Sequence, residues 1–233
     1  MDTLKSLGIE DEVVWVISAD HGESMGEQGI YMEHASATEA VHHLPLIIKI
    51  PGITQPGKVY EQFVYNVDVI ASITDLIGLN VPQGWDGRSF MPILKTEAAE
   101  EYEARPYLVM DHGLNTCQRA IRDARWYFIR TYHPGFYRFD DVTLYDMEND
   151  PHQLHNVASH FPEIVHLMDH RIQEWLQEQQ SKHGLIMDPM QEVIRSGPWR
   201  YVTPEAWAER LRSEGREAEA DSILEKWRRN HFE

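Results

Sequence analysis

Five β-prone residues without a break, Val13-Val14-Trp15-Val16-Ile17, run directly into Ser18-Ala19-Asp20-His21-Gly22-Glu23. This junction constrains the fold more than any other stretch. A continuous apolar run suits a strand covered on both faces, the habit of parallel sheets sandwiched by helices. Sheets of that kind carry their ligands at the carboxyl ends of the strands, where Asp20 and His21 stand. A second run, Pro45 to Ile50, stops at Pro51-Gly52 and is expected to lie beside the first. Between them, Ser36 to His43 has room for a short helix, and Leu4 and Leu7 before Gly8 read as the last turn of another.

Downstream, Val69, Ile70, Ile73, Leu76 and Ile77 recur at helical spacing before Gly78, so the segment from Asn66 is expected to be a buried amphipathic helix. Pro82 to Leu94 is rich in turn formers, and the acidic stretch Thr96 to Arg105 reads as a surface crossing and a boundary. Short runs at Tyr107–Met110, Arg119–Arg122, Trp126–Arg130 and Thr143–Asp146 then predict a small antiparallel sheet. Ile164, Leu167, Met168, Ile172, Trp175 and Leu176 mark one face of a long helix that should pack on it. Thr203-Pro204-Glu205 predicts a helix start with proline in the first turn, opening a helical tail. The expected fold class is α/β, a parallel-rich sheet sandwiched by helices over residues 1–95. A smaller α+β domain with an antiparallel sheet and a packed helix follows at 96–185, then the tail at 186–233.

Composition narrows the partners. With 42% hydrophobic residues among 233, the chain can bury a substantial core. Its 21 Lys and Arg against 38 Asp and Glu leave a charge of −17, whose field repels nucleic-acid phosphates and anionic lipid, so neither is an expected partner. The longest apolar stretch is far too short for a membrane span, and the first residues lack the pattern of a signal peptide. Cys117 is the sole cysteine, so no internal disulfide forms.

A carboxylate and an imidazole leaving the end of a strand can turn toward one cation, with Gly22 permitting a sharp change of direction. Oxygen-rich completion would favour Ca²⁺ or Mg²⁺, nitrogen-rich completion Zn²⁺. The same residues also suit a plain turn with a satisfied histidine.

The order and spacing of Ser18 to Glu23, Gly26-Glu27-Gln28-Gly29, Glu33-His34, Glu39-Ala40 and Pro45 to Gly52 resemble the sulfatase family of the alkaline phosphatase superfamily. The likeness continues through Asp68, Asp86-Gly87-Arg88-Ser89, and Leu144 to Pro151 with Asn156, covering most of residues 4–180. It implies hydrolysis of a sulfate ester beside a divalent cation, most often calcium, with magnesium or zinc as alternatives. Asp20 and His21 match two late metal ligands, Glu23 being a weaker match. His34 falls near a basic position that contacts the sulfate or the leaving-group oxygen, with a solvated loop histidine as its alternative. His112 and Arg119 are candidate substrate contacts, the alternatives being a hydrogen-bonded structural histidine and an ion-paired arginine.

The resemblance also implies a formylglycine nucleophile made from the first residue of Cys-x-Pro-Ser-Arg or Ser-x-Pro-Ser-Arg. Neither motif occurs in these 233 residues, and Cys117, followed by Gln118-Arg119-Ala120, reads as a small buried residue. The nucleophile and early metal-binding aspartates are therefore expected in a missing upstream half, and this chain alone is expected to be inactive. Either that half or a second chain is expected to cover the exposed sheet edge. The expected substrate is a sulfated small molecule or a sulfated glycan. A phosphodiesterase or phosphonate hydrolase of the same superfamily and a non-catalytic partner-binding remnant are the rival readings.

Overall fold

The structure is a computed structural model that describes residues 2–95, 102–198 and 203–232. Residues 96–101, most of the expected acidic crossing, lie outside the described residues. The chain forms two compact units, residues 1–20 with 44–108 and residues 21–43 with 109–233.

In the first unit, helix α1 (Asp2–Ser6) precedes strand β1 (Trp15–Ser18), which pairs with β4 (Leu46–Lys49). The pairing is antiparallel, with Val16 opposite Ile48 and Ile17 opposite Ile47. The second run lies beside the first as expected, but the pair is antiparallel, and the first run is not covered on both faces as its apolar character suggested. Residues directly opposite share a face, so Val16 and Ile48 look one way, toward Val69, Ile73 and Leu76 of helix α3 (Asn66–Leu76). On the other face Ile17 is 47% and Ile47 61% exposed. An apolar run records that both faces are oily; it carries no information on strand direction or on what covers each face.

Helix α3 covers only one side of its apolar arc: Val69 is buried, whereas Ile70 and Ile77 are exposed. Its start is fixed by Asp68, whose fully buried carboxylate reaches back to the Tyr65 amide at 2.7 Å. The same carboxylate accepts from the Arg88 amide at 2.7 Å and from both terminal nitrogens of Arg105 at 2.6 and 2.8 Å. Gly87 is required there, because a Cβ would sit 2.5 Å from the Val67 carbonyl oxygen. Phe90 and helix α4 (Met91–Leu94) close the core over Ile50 and Val69.

The second unit is built on a four-stranded sheet in the order β5 (Leu108–His112), β6 (Cys117–Arg122), β7 (Trp126–His133), β8 (Val142–Asp146). The β6–β7 and β7–β8 pairs are antiparallel, as the alternating runs predict. Helix α5 (Pro162–His183) begins with proline in its first turn, ends on left-handed Gly184, and buries Met168 and Ile172. Two ion pairs tie it down, Arg130 to Asp169 at 2.6 Å and Arg171 to Asp123 at 3.0 Å. After β8 the chain turns on Asp146, which accepts from Arg125, the Glu148 amide and Asn149. Asn156 then returns to the Leu144 amide at 3.0 Å. The expected carboxy-terminal signature thus folds as a hydrogen-bonded turn.

Helix α6 (Pro189–Ser196) is followed by α7 (Pro204–Ser213), where Thr203 caps the Ala206 amide as expected, and by α8 (Glu217–Phe232). Phe136, Ala208, Leu211, Ala220 and Ile223 pack together beneath them. No described helix is long and apolar enough to cross a membrane.

Removing the Asp68 carboxylate strands the Arg105 guanidinium, only 9% exposed, beside two unsatisfied amides. Asp68→Ala should destabilise the chain by about 3–5 kcal/mol, read as a shift in the urea midpoint. A loss no larger than that of an exposed surface alanine would refute this role.

Candidate functional site

The strand-end segment opens the second unit and runs through β2 (Ser24–Met25), a 3-10 turn at Glu27–Gly29, β3 (Tyr31–Glu33) and the short helix α2 (Glu39–His42). β2 and β3 pair antiparallel, and left-handed backbone at Gln28, Gly29 and Met32 folds the hairpin tightly. That fold brings Glu33 opposite Ser24 and carries His34 back to His21.

The return strand is fixed from below by polar side chains. Thr116 donates to the Ala35 carbonyl at 2.8 Å, and Tyr127 donates to that of Ala37 at 2.8 Å. Gln118 accepts from the Ala37 amide at 2.8 Å, and Gln153 accepts from the Glu39 amide at 2.8 Å. Ala35 through Thr38 are buried, so each bond satisfies a backbone group that water does not reach. The outgoing strand is fixed by Gly22, whose amide donates to the Val41 carbonyl at 2.7 Å. A Cβ at Gly22 would overlap the Ala40 carbonyl oxygen. Close approach to α2 is therefore the reason for glycine here, beyond the freedom to turn.

Three side chains converge on this frame. The rings of His21 and His34 stack with centroids 4.0 Å apart and planes 27° from parallel. Glu23 Oε2 lies 3.6 Å from His34 Nδ1, and Glu33 Oε1 lies 3.9 Å from it. His21, Glu23 and His34 each offer a ligand atom within 4.8 Å of the others, the one such group of three among the described residues. The Nδ1 of His21 meets the Gly22 carbonyl at 2.8 Å, so that nitrogen carries the proton and Nε2 the lone pair. Two imidazoles and one carboxylate are a nitrogen-rich set. Calcium takes six to eight oxygens, so these three side chains do not by themselves fit it.

His112, at the end of β5, is 7% exposed, with Nε2 against the Leu114 carbonyl at 2.8 Å. Its ring meets that of His42 edge to face, with centroids 5.8 Å apart. Burial, helped by the neighbouring His42, pushes His112 down to about 4, and burial brings His42 to about 4 against the pull of Glu39. His42 Nε2 is buried with no hydrogen-bond partner. The contact of His42 with a strand end 70 residues on leaves no mark in a local sequence pattern.

Arg119 has no exposed surface and holds the carboxylates of Asp111 and Asp188, the second through bonds of 2.9 and 3.1 Å. It thereby ties the end of β5 to the start of α6, the ion-paired arrangement rather than a donor presented to solvent. Cys117 is fully buried, and burial pushes its thiol up to about 12, far from a reactive thiolate. Glu23 is the site residue given least weight in the sequence. Its signal was alternation, because residues two apart on an extended segment project to one side.

Comparison with known proteins adds three findings. A family model described as N-sulphoglucosamine sulphohydrolase, C-terminal, matches residues 26–182. Human arylsulfatase K (Homo sapiens) is 29% identical over 184 residues, covering 72% of this chain but 32% of its own length. The chain thus spans about a third of that relative. A solved 2-O GAG sulfatase superposes with a TM-score of 0.66 at 24% identity, over 81% of this chain and 42% of its own. The phosphonate monoester hydrolase of Agrobacterium radiobacter gives 0.56 at 24% identity, over 81% of this chain and 38% of its own.

Two outcomes follow from this geometry. Gly22→Ala should cost about 1–3 kcal/mol and weaken the packing of residues 21–23 on α2, measured by urea denaturation and by the amide signals of that segment; an unchanged midpoint would sink the close-approach argument. Acid should also weaken the second unit. A histidine held neutral at about 4 in the fold and near 6.5 unfolded contributes stability above the unfolded value, and that stability drains away as pH falls toward 4. His112 alone accounts for about 3 kcal/mol over this window. Urea midpoints should fall between about pH 6.5 and pH 4, and His112→Asn should flatten the fall; a slope unaffected by that substitution would exclude His112 as a source.

Proposed function

Because this chain belongs to the sulfatase family carrying the N-sulphoglucosamine sulphohydrolase C-terminal domain, we propose that it supplies the late half of a sulfate-ester hydrolase site acting on a sulfated glycan or a smaller sulfated sugar. The observation that carries this reading is the stacking of His34 on His21, the residue after Asp20, beside a family match over residues 26–182 that includes His34. The family description and the sulfatase relatives support a sulfated amino sugar or glycosaminoglycan as the substrate class.

On this reading Asp20 and His21 are the two positions that the chain contributes to a divalent cation, which supplies Lewis-acid polarisation of sulfate oxygens when bound. The chemistry of the chain's own residues rests on His34. Glu23 Oε2 lies 3.6 Å from Nδ1 of that ring, and Nε2 is the nitrogen that hydrogen-bonds the ester oxygen and gives it a proton as the S–O bond breaks. His112, held neutral by burial, lines the same unit as a hydrogen-bonding wall. Arg119 positions Asp111 without touching substrate. The formylglycine nucleophile and the remaining oxygen ligands come from residues outside these 233, which contain no Cys-x-Pro-Ser-Arg or Ser-x-Pro-Ser-Arg.

The test is sulfate release from sulfated glucosamines by the protein expressed with its upstream coding sequence, set against phosphonate and phosphodiester substrates. Sulfate esters should be the preferred class, and His34→Ala should lower kcat by about 10²–10⁴-fold. The 233-residue chain alone should show no turnover. Preference for a phosphonate, or undiminished turnover by the His34 variant, would overturn the assignment.

A further inference from the structure

We infer that the helical tail, which lies beyond the residues 26–182 matched by the family model, is a positioning element for the site: helix α6 holds His112 from both sides and, through the turn that follows, fixes where His34 stands. This role rests on the hydrolytic reading above, in which His34 gives a proton to the leaving oxygen. The physical linkage from α6 to the two histidines does not.

Both chain neighbours of His112 are gripped by α6. On one side Asp111 accepts from Arg119 at 2.9 Å, and Arg119 reaches on at 2.9 Å to Asp188, the residue that caps α6. On the other side Gly113 lies against Val193 of α6, so close that a Cβ there would stand 3.3 Å from a Val193 methyl. Leu114 holds the His112 ring, its carbonyl meeting Nε2 at 2.8 Å. The next amide, that of Asn115, donates to the Pro198 carbonyl at 2.9 Å. Asn115 has left-handed backbone at φ 62°, a conformation that persists in a non-glycine residue only where its surroundings enforce it. The enforcement comes from the tail on one side and from Gly135 on the other, where a Cβ would overlap the Asn115 carbonyl oxygen. Phe136, next in the chain, is buried among Ala208, Leu211, Ala220 and Ile223 of α7 and α8. The turn ends at Thr116, fully buried, which donates to the carbonyl of Ala35, the residue after His34. Bonds and close contacts therefore run without a gap from the tail to both histidines, and a close-packed series of this kind passes a displacement on rather than absorbing it.

Val193→Ala and Asp188→Asn test the two grips separately, in the tag-free 233-residue chain. With circular dichroism unchanged, the nuclear magnetic resonance signals of the His112 ring should show a titration midpoint moving from about 4 toward 6.5, because a loosened turn admits water. The ring-current shifts that His21 and His34 impose on each other should shrink. Val193→Ile, which keeps the methyl contact, should restore both readings, and Glu209→Ala, at an exposed position of α7, should leave them alone. In the protein expressed with its upstream coding sequence, the two loosening variants should lower kcat about tenfold with KM unchanged. Unaltered His112 and ring-current signals in both variants would overturn the inference, as would an equal change in Glu209→Ala. Moved signals with kcat intact would overturn the positioning role. Moved signals in a protein that releases no sulfate even when unsubstituted would sink the hydrolytic reading and leave the linkage standing.

Discussion

The geometry of the site depends on how five residues of backbone, Ala35 to Glu39, are held against the sheet of the second unit. Buried backbone groups must find partners, and an irregular segment cannot supply its own. Here Thr116, Gln118, Tyr127 and Gln153 do so, three of them from β6, β7 or the residue before β6. Gln118 is itself held by a bond to Thr131 at 3.1 Å, and the Gln153 carbonyl accepts from Gln28, so the clamp is a linked set rather than isolated bonds. Linked buried bonds admit few alternatives, because any slip leaves several donors and acceptors orphaned together. His34 stands one residue before this clamp, and its position against His21 is inherited from it.

The same logic recurs as charge. Asp68 in the first unit and Arg119 in the second are fully buried ions, each with its charge shared among several partners. Pairs of this kind contribute little net stability compared with an apolar replacement, but losing one member is costly. What they supply is position. Asp68 joins the start of α3 to the Arg88 loop, and Arg119 joins β5 to α6, connections that oily contacts would leave free to slide.

Much of this was legible because it is periodic. The runs at Trp126–Arg130 and Thr143–Asp146 fell inside β7 and β8, and the apolar face from Ile164 to Leu176 fell inside α5. Periodicity failed where the answer depends on neighbours. The run Val13–Ile17 gave a strand and, with Pro45–Ile50, its neighbour, but neither the antiparallel direction of the pair nor its exposed face. Asp20, His21 and His34 were marked by family spacing, whereas the stacking of His21 on His34 depends on a hairpin turned by left-handed Gln28 and Met32. Non-glycine residues in that conformation are rare and carry no reliable sequence mark. The His42–His112 contact lay equally out of reach, since tertiary packing alone creates it.

Several residues that carry the family likeness prove to be architectural. Gly22 makes room for the Ala40 carbonyl, Gly87 for that of Val67, and Asp146 and Asn156 hold a turn. None of these need touch a substrate to be indispensable to the shape that presents His21, Glu23 and His34. A signature in sequence therefore reports two different demands, one for chemistry and one for close backbone approach, and only the structure separates them. In this chain the separation falls within one short segment: Gly22 fixes the backbone, and the residues on either side of it, His21 and Glu23, are carried to His34.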